Sequence, residues 1–195
     1  MEGCRHFTDT EILRVRRCLA RKHYTGKRDV AWFLLGLTTG YRISEILAVR
    51  RGDLIHGGRL VKYLRITTQH MKTRTRQAYL PEITRKALRR WIGQLSAQGW
   101  VCHSDYVFQS HSRSNRPLSR SRCWQIIHEA ARSCGCTGTI GTHSMRKTYA
   151  IKMEANQGLR VTQLALGHKD INTTLRYLNL EEEKVTEGVQ AIWGR

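Results

Sequence analysis

The stretch DVAWFLLGLTTGYRISEIL, residues 29–47, contains two helical patterns that meet at a glycine. Asp29 to Leu37 predicts a strongly apolar helix, of the kind that is buried in a core. Gly40 suits the left-handed residue that commonly follows the end of a helix. The apolar residues from Ile43 onward predict a further helix that runs to about Arg50. The stretch therefore predicts a buried helix, a tight turn and a second helix.

Helical patterns dominate the chain on both sides of this stretch. Thr8 and Glu11 have the spacing of a capping box, and apolar residues follow them at helical intervals. The remaining predicted helices cover residues 83–95, 118–134, 142–156, 161–166 and 172–180. Gly158 and Gly167 separate the last three of these helices, which predicts short breaks there.

One part of the chain favours strands instead. Arg59 to Thr67 and Gln77 to Leu80 predict two strands, joined by a polar, basic hairpin tip over Thr68 to Thr75. Tyr106 to Phe108 predicts a further short strand. The predicted fold class is therefore α+β and mainly α, a helical bundle with a small antiparallel β-sheet. The sequence contains no internal repeat and no clear domain boundary.

The charge of the chain points to a polyanionic partner. It has 34 lysine and arginine residues against 15 aspartate and glutamate residues, a formal net charge of +19. Such an excess favours nucleic acid first and an anionic membrane second. The longest apolar run, Val30 to Leu37, is far shorter than the roughly 20 residues that a spanning helix needs. We therefore expect nucleic acid as the partner, and no membrane.

Cysteine usage indicates a reducing compartment. The chain has six cysteines, and its N-terminus lacks the layout of a signal peptide, so reduced thiols in the cytoplasm are expected. Cys134 and Cys136 lie near Cys123 in sequence, but the paired C-x-x-C spacing of a zinc site is absent. We expect no metal site and no cofactor.

Several side chains together have the chemistry of a metal-free phosphate site. The candidate catalytic residues are Arg42, Lys72, His143, Arg146, His168 and Tyr177. Two arginines can grip non-bridging phosphate oxygens with planar forks of donors. A histidine can share a proton near neutral pH, a lysine can protonate a leaving oxygen, and a tyrosine oxygen can act as the nucleophile.

Each of these residues alone has an ordinary structural reading. Lys72 has basic neighbours on the same hairpin, and Arg74 is its main rival. His143, beside a serine, could equally be part of a helix cap or a core histidine. Tyr177 is better supported, because it points away from an apolar stripe at helical spacing. That stripe consists of Ile171, Leu175 and Leu178.

Taken in order, these motifs resemble the tyrosine recombinases of the phage integrase family. Gly40-Tyr-Arg42-Ile-Ser-Glu45 resembles the first box of that family. Three further motifs resemble the second box, in the family's order: His143-x-x-Arg146, Leu166-Gly-His168 and Tyr177. Pro117 to Arg120, the helix after it and the Lys72 hairpin also fall where the family has them. The resemblance extends from about Thr8 to about Leu180.

The resemblance implies a site-specific recombinase that cleaves and rejoins DNA through a 3′-phosphotyrosine, in integration, excision or inversion. Tyr177 would attack the scissile phosphate, Arg42 and Arg146 would hold its oxygens, and Lys72 would protonate the 5′-oxygen. His143 would accept a proton or a hydrogen bond, and His168 would support the phosphate. Two alternatives remain open: a type IB topoisomerase-like activity, and a catalytically silent DNA-binding regulator with the same fold.

The resemblance also implies how the chain is organised and where it works. Residues 1–180 would form the catalytic domain, either of a short member without a separate clamping domain, like the fimbrial phase-variation recombinases, or of a trimmed fragment. Residues 181–195 would form a tail helix, docked on its own domain or on a neighbouring protomer. We expect a homo-tetramer on paired sites, DNA-bending accessory proteins, and a bacterial or phage-encoded protein acting at the cytoplasmic nucleoid.

Overall fold

The computed structural model describes residues 3–67, 75–110, 115–168 and 170–178, with the backbone alone at residues 67, 75 and 176–178. The helices are α1 (Asp9–Ala20), α2 (Gly26–Thr39), α3 (Ile43–Leu47), α4 (Arg51–Leu54), α5 (Glu82–Ala97), α6 (Arg120–Ser133), α7 (Thr142–Leu166) and α8 (Ile171–Leu178). The strands are β1 (Ile55–His56), β2 (Arg59–Leu60), β3 (Tyr63–Thr67) and β4 (Thr75–Tyr79). Lys72, Arg74, the tail at 181–195 and the side chain of Tyr177 lie outside the described residues.

The chain divides into two compact units, residues 1–149 and 150–195. The first unit contains an apolar core built from α1, α2, α5 and α6, and Trp32, Phe33, Leu88 and Ile127 are among its buried side chains. None of the described helices is long and apolar enough to cross a membrane. The chain is mainly helical with small antiparallel sheets, so the predicted fold class is confirmed.

Helix α2 is buried along most of its length, including a charged pair near its start. The carboxylate of Asp29 accepts a hydrogen bond from Arg28 Nε at 2.9 Å and another from Trp32 Nε1 at 3.3 Å. Arg28 Nη1 also donates to the carbonyl oxygen of Gln109 at 2.9 Å. These bonds offset the cost of burying the two charges and fix the start of α2 against the rest of the core.

The end of α2 is a tight turn at Gly40, as predicted. Gly40 has φ 61° and ψ 18°, and its NH donates to the carbonyl oxygen of Gly36 at 3.0 Å. A Cβ at this position would lie 2.4 Å from Cδ1 of Tyr149. Both the left-handed backbone and the close approach of the Tyr149 ring therefore require glycine.

We expect Gly40→Ala to destabilise the first unit strongly. The left-handed conformation costs a non-glycine residue about 1–2 kcal/mol. The overlap with the Tyr149 ring adds about 1–3 kcal/mol. Gly57→Ala is the matched control, because Gly57 has φ 55° but no atom within 4 Å of an added Cβ. Urea unfolding of both variants measures the difference, and equal losses of stability would show that the Tyr149 contact costs nothing.

Residues 59–67 do not form one continuous strand, so that prediction is wrong. Its first part, β2, pairs with β1, whereas its second part, β3, pairs with β4 in an antiparallel register that places Tyr63 opposite Tyr79. Gly57 and Gly58 both have positive φ and form the tight turn between β1 and β2. The single predicted sheet is thus two separate two-stranded sheets within the described residues.

Two further boundaries differ from the prediction. The helix expected to reach Arg50 ends at Leu47, and a separate helix, α4, begins at Arg51. The carboxylate of Asp53 accepts a hydrogen bond from the NH of Arg50 at 2.8 Å, and this capping contact starts the new helix. Tyr106 forms an isolated bridge with Arg50 instead of belonging to a strand.

In the second unit, the predicted break at Gly158 is confirmed. Gly158 has φ 76° and ψ 172° inside α7, a conformation essentially restricted to glycine. The hydroxyl of Thr162 donates to the carbonyl oxygen of Gly158 at 2.9 Å, which helps the helix to resume. The apolar stripe expected on α8 is wrong at Ile171, which is 40% exposed, whereas Thr174 is fully buried.

Candidate active site

Arg42 lies at the N-cap of α3, directly after the turn that ends α2. Its backbone NH donates to Glu45 Oε2 at 2.5 Å, and its Nη1 is 3.7 Å from Glu45 Oε1. The side chain of Arg42 is 43% exposed. Glu45 therefore holds the main chain of Arg42 and leaves much of the guanidinium accessible.

His143 and Arg146 lie on the first turn of α7, three residues apart. Arg146 is buried, and its Nη1 donates to the carbonyl oxygen of Gly40. His143 is exposed on the same helical turn. The hydroxyl of Ser144 accepts a hydrogen bond from the NH of Gly141 at 3.1 Å, which orders the chain just before the helix. The end of α2 and the start of α7 are thus joined through Arg146.

Arg42 and His143 line one open cavity of about 500 Å³. Arg120, Ser121 and Trp124 of α6 also line it, and Ser119 caps that helix by accepting from the NH of Arg122 at 3.0 Å. The partial positive charge at the N-terminal end of α6 adds to the charge of the arginines. The cavity is therefore suited to an anion.

The imidazole of His143 is biased towards its neutral form. Its pKa is lowered first by partial burial of the ring and then by the positive charges of Arg146 and Arg42. These like charges disfavour the imidazolium and favour the neutral ring, in which one nitrogen carries no proton. His143 can therefore accept a proton or a hydrogen bond beside the two arginines.

We expect Arg42→Ala to raise the pKa of His143, because the substitution removes a nearby positive charge that disfavours protonation. The titration of the imidazole protons by nuclear magnetic resonance measures this shift in the free protein. Arg65→Ala is the control, since Arg65 lies on β3 and its side chain contacts Gln77. A pKa that stays fixed or falls in Arg42→Ala would contradict the arrangement.

His168 belongs to the second unit and is held tightly within it. The residue follows Gly167, which has φ 68°, and its NH donates to the carbonyl oxygen of Gln163 at 3.1 Å. Its Nδ1 is 2.9 Å from Oγ1 of Thr174. This contact explains why the polar Thr174 is buried on α8, and it links His168 to the helix whose backbone includes position 177.

In the structure, the predicted site residues fall into two groups. Arg42, His143 and Arg146 come together in the first unit, whereas His168 and the backbone of Tyr177 lie in the second. Lys72 lies outside the described residues. The sequence patterns assigned no role to Arg76. In the structure Arg76 donates to the carbonyl oxygens of residues 39 and 40.

A family model and two bacterial relatives match most of this chain. The model of the family described as "Phage integrase family" matches residues 8–184. The probable integrase/recombinase YoeC of Bacillus subtilis (strain 168) is 26% identical over 185 residues, which cover 94% of this chain and 93% of that protein. The type 1 fimbriae regulatory protein FimE of Escherichia coli (strain K12) is 30% identical over 158 residues, covering 78% and 75% respectively.

Two solved structures show the same fold. The crystal structure of XerA recombinase matches with a TM-score of 0.80 and 20% identity, over 100% of this chain and 67% of that one. The XerH site-specific recombinase, bound to the palindromic difH substrate in a post-cleavage complex, matches with a TM-score of 0.78 and 18% identity. That match covers 97% of this chain, which spans about half of the XerH chain, 53%.

Proposed function

This chain belongs to the phage integrase family, and from that membership we propose that it is a site-specific DNA recombinase. It cleaves a DNA strand by forming a covalent bond to Tyr177 and later rejoins the strand. The observation that supports this most strongly is the cavity shared by Arg42 and His143, with Arg146 lowering the pKa of the same histidine. Two arginines and a neutral imidazole that lie close together form a site for a phosphate that gains negative charge during the reaction.

Each proposed residue has a distinct part in the cleavage step. The oxygen of Tyr177 attacks the phosphorus atom, the bond to the 5′-oxygen breaks, and a 3′-phosphotyrosine forms. Arg42 and Arg146 bind the non-bridging oxygens and stabilise their increased charge in the transition state. His143 accepts the hydrogen bond or proton of the attacking tyrosine, Lys72 protonates the 5′-oxygen, and His168 supports the phosphate.

Rejoining follows the same path in reverse. A 5′-hydroxyl attacks the phosphotyrosine, the bond to Tyr177 breaks, and the phosphodiester is restored. Because the covalent link conserves the energy of the original bond, the reaction needs no ATP. The DNA strand to which the incoming 5′-hydroxyl belongs decides whether the product is integrated, excised or inverted DNA.

We extend the proposal to the assembly on DNA. Double-stranded DNA is the partner, and the net charge of +19 supports binding to its phosphates. We place two pairs of protomers on paired sites as a homo-tetramer, with residues 181–195 as a tail helix that docks in trans and with DNA-bending accessory proteins. The protein would act on the nucleoid in the cytoplasm of a bacterium, since YoeC and FimE are bacterial proteins.

Covalent capture tests this function and identifies the recombination site in the same experiment. The full chain is mixed with duplexes that carry a randomised core, and complexes that survive denaturing detergent are recovered and sequenced. We expect an enriched core that the protein also cleaves as an individual nicked duplex. Binding without any covalent complex would indicate the silent regulator, and relaxation of plasmids that lack the enriched core would indicate the topoisomerase.

A further inference from the structure

Two guanidinium groups meet at the C-terminal end of α2. Arg76 of β4 donates from Nη2 to the carbonyl oxygen of Thr39 and from Nη1 to that of Gly40, the latter at 3.4 Å. Arg146 of α7 donates to the same Gly40 oxygen. The last carbonyl groups of a helix lack helical partners and carry partial negative charge, so they attract cations. The end of α2 is therefore a common anchor for one arginine of the hairpin and one of the phosphate site.

Arg76 also holds the residue between Gly40 and Arg42. Its guanidinium carbon lies 4.4 Å from the centroid of the Tyr41 ring, a cation–π distance. The hydroxyl of Tyr41 donates to the carbonyl oxygens of Leu64, at 3.0 Å, and of Arg76, at 2.9 Å. Burial raises the pKa of Tyr41 to about 12, so the hydroxyl remains a donor. Tyr41 is thereby tied to both strands of the hairpin.

Stability alone is a poor explanation for Arg76. Burial lowers its pKa, which shows that the charge is held at a cost. Its Nε is buried and has no hydrogen-bond partner among the described residues. An apolar side chain of similar length would avoid both penalties. What Arg76 provides instead is contact with three consecutive residues, Thr39, Gly40 and Tyr41, which immediately precede Arg42.

We propose that Arg76 is a positioning residue for the arginine pair of the phosphate site. It fixes the turn before Arg42 and shares the Gly40 carbonyl with Arg146, so it sets where the two guanidinium groups lie relative to each other. Arg76 also lies on the strand that follows the Lys72 segment in the chain. The inference rests on the proposed function, because it assigns Arg76 a role in the cleavage step.

The test compares Arg76→Met and Arg76→Lys with wild type on the nicked duplex recovered by covalent capture. We expect Arg76→Met to slow single-turnover formation of the covalent complex by about 10- to 100-fold, since misplacement of about 1 Å can cost that much. Its Kd for the same duplex should change by less than about threefold. Arg76→Lys should recover part of the rate, because lysine keeps the charge but not the planar fork.

Arg65→Met is the matched control. Arg65 lies on β3 of the same hairpin, is exposed and contacts Gln77 at 3.5 Å, so its loss removes a charge without touching the turn. A rate for Arg76→Met equal to that of Arg65→Met would overturn the positioning role. A wild-type protein that forms no covalent complex would instead overturn the proposed function itself, so the two failures are distinguishable.

A double-mutant cycle separates positioning from loss of fold. If Arg76 acts by placing Arg42 relative to Arg146, then Arg76→Met should slow the Arg42→Ala protein by less than about threefold, because that pair no longer exists. A merely structural role predicts that the two penalties multiply, and that outcome would refute the inference. Should Arg76→Met fail to fold by circular dichroism, the same cycle with Arg76→Lys decides the question.

Discussion

Tyr177→Phe should abolish the covalent complex with DNA and leave binding almost unchanged. Phenylalanine has nearly the same shape as tyrosine but lacks the oxygen that the proposed mechanism bonds to phosphorus. The aromatic ring, the helix propensity and the charge of the chain are retained. We therefore expect no detergent-resistant complex on the captured duplex, and a Kd within about threefold of wild type in a binding assay.

Tyr63→Phe is the matched control for this substitution. Tyr63 is 54% exposed on β3, and its ring lies 5.5 Å from that of Tyr79. Loss of its hydroxyl should leave the rate of covalent capture at the wild-type value. A covalent complex that persists in Tyr177→Phe would show that another residue is the nucleophile, whatever the result for Tyr63→Phe.

Arg42→Ala should slow cleavage by about 100- to 1,000-fold, the usual cost of removing one donor to a transition-state oxyanion. Its stability should change little, because the side chain is 43% exposed and the NH of residue 42 still donates to Glu45. Single-turnover capture measures the rate, and urea unfolding measures the stability. Arg65→Ala provides the control for the loss of one positive charge.

Arg146→Ala should differ from Arg42→Ala in a way that the structure explains. Arg146 is buried and bonded to the Gly40 carbonyl, so its loss should lower both the cleavage rate and the stability of the first unit. If the Arg42→Ala protein cleaves at the wild-type rate, then Arg42 does not belong to the phosphate site. Arg146→Ala that remains as stable as wild type would show that its bond to Gly40 contributes nothing to the fold.

Local patterns in the sequence predicted those features that depend on neighbouring residues. The capping box is present, since Thr8 Oγ1 accepts from the NH of Glu11 at 3.2 Å and Glu11 Oε2 accepts from the NH of Thr8 at 2.9 Å. Gly40 ends α2 in the left-handed conformation, and Gly158 interrupts α7. In each case the signal and its structural effect lie within a few residues, so tertiary packing has little power to override it.

Features that depend on distant contacts could not be predicted in this way. Thr174 is buried because its hydroxyl meets His168, and an apolar stripe through Ile171 gives no sign of that hydrogen bond. Arg76 donates to the carbonyl oxygens of Gly40 and Thr39, which lie 36 and 37 positions earlier in the chain. Backbone carbonyl groups have no signature in a sequence, so the hydrogen-bond partners of Arg76 appear only in the fold.

The spacing of two motif residues also predicted their proximity in the fold. His143 and Arg146 lie three residues apart, which places them on one helical turn, and Arg42 follows the glycine turn that Arg146 contacts. The family resemblance joined these residues to His168 and Tyr177. The catalytic roles of all six candidate residues are proposals, which the cleavage experiments on the intact protein test.

The most direct test of the proposed mechanism is to identify the covalent link itself. Wild-type protein trapped on a nicked duplex is digested with protease and nuclease, and the nucleotide-bearing peptide is sequenced by mass spectrometry. We predict a nucleotide joined through its 3′-phosphate to Tyr177, with a 5′-hydroxyl on the released strand that a polynucleotide kinase can label. A link to any other residue, or through a 5′-phosphate, would contradict the mechanism.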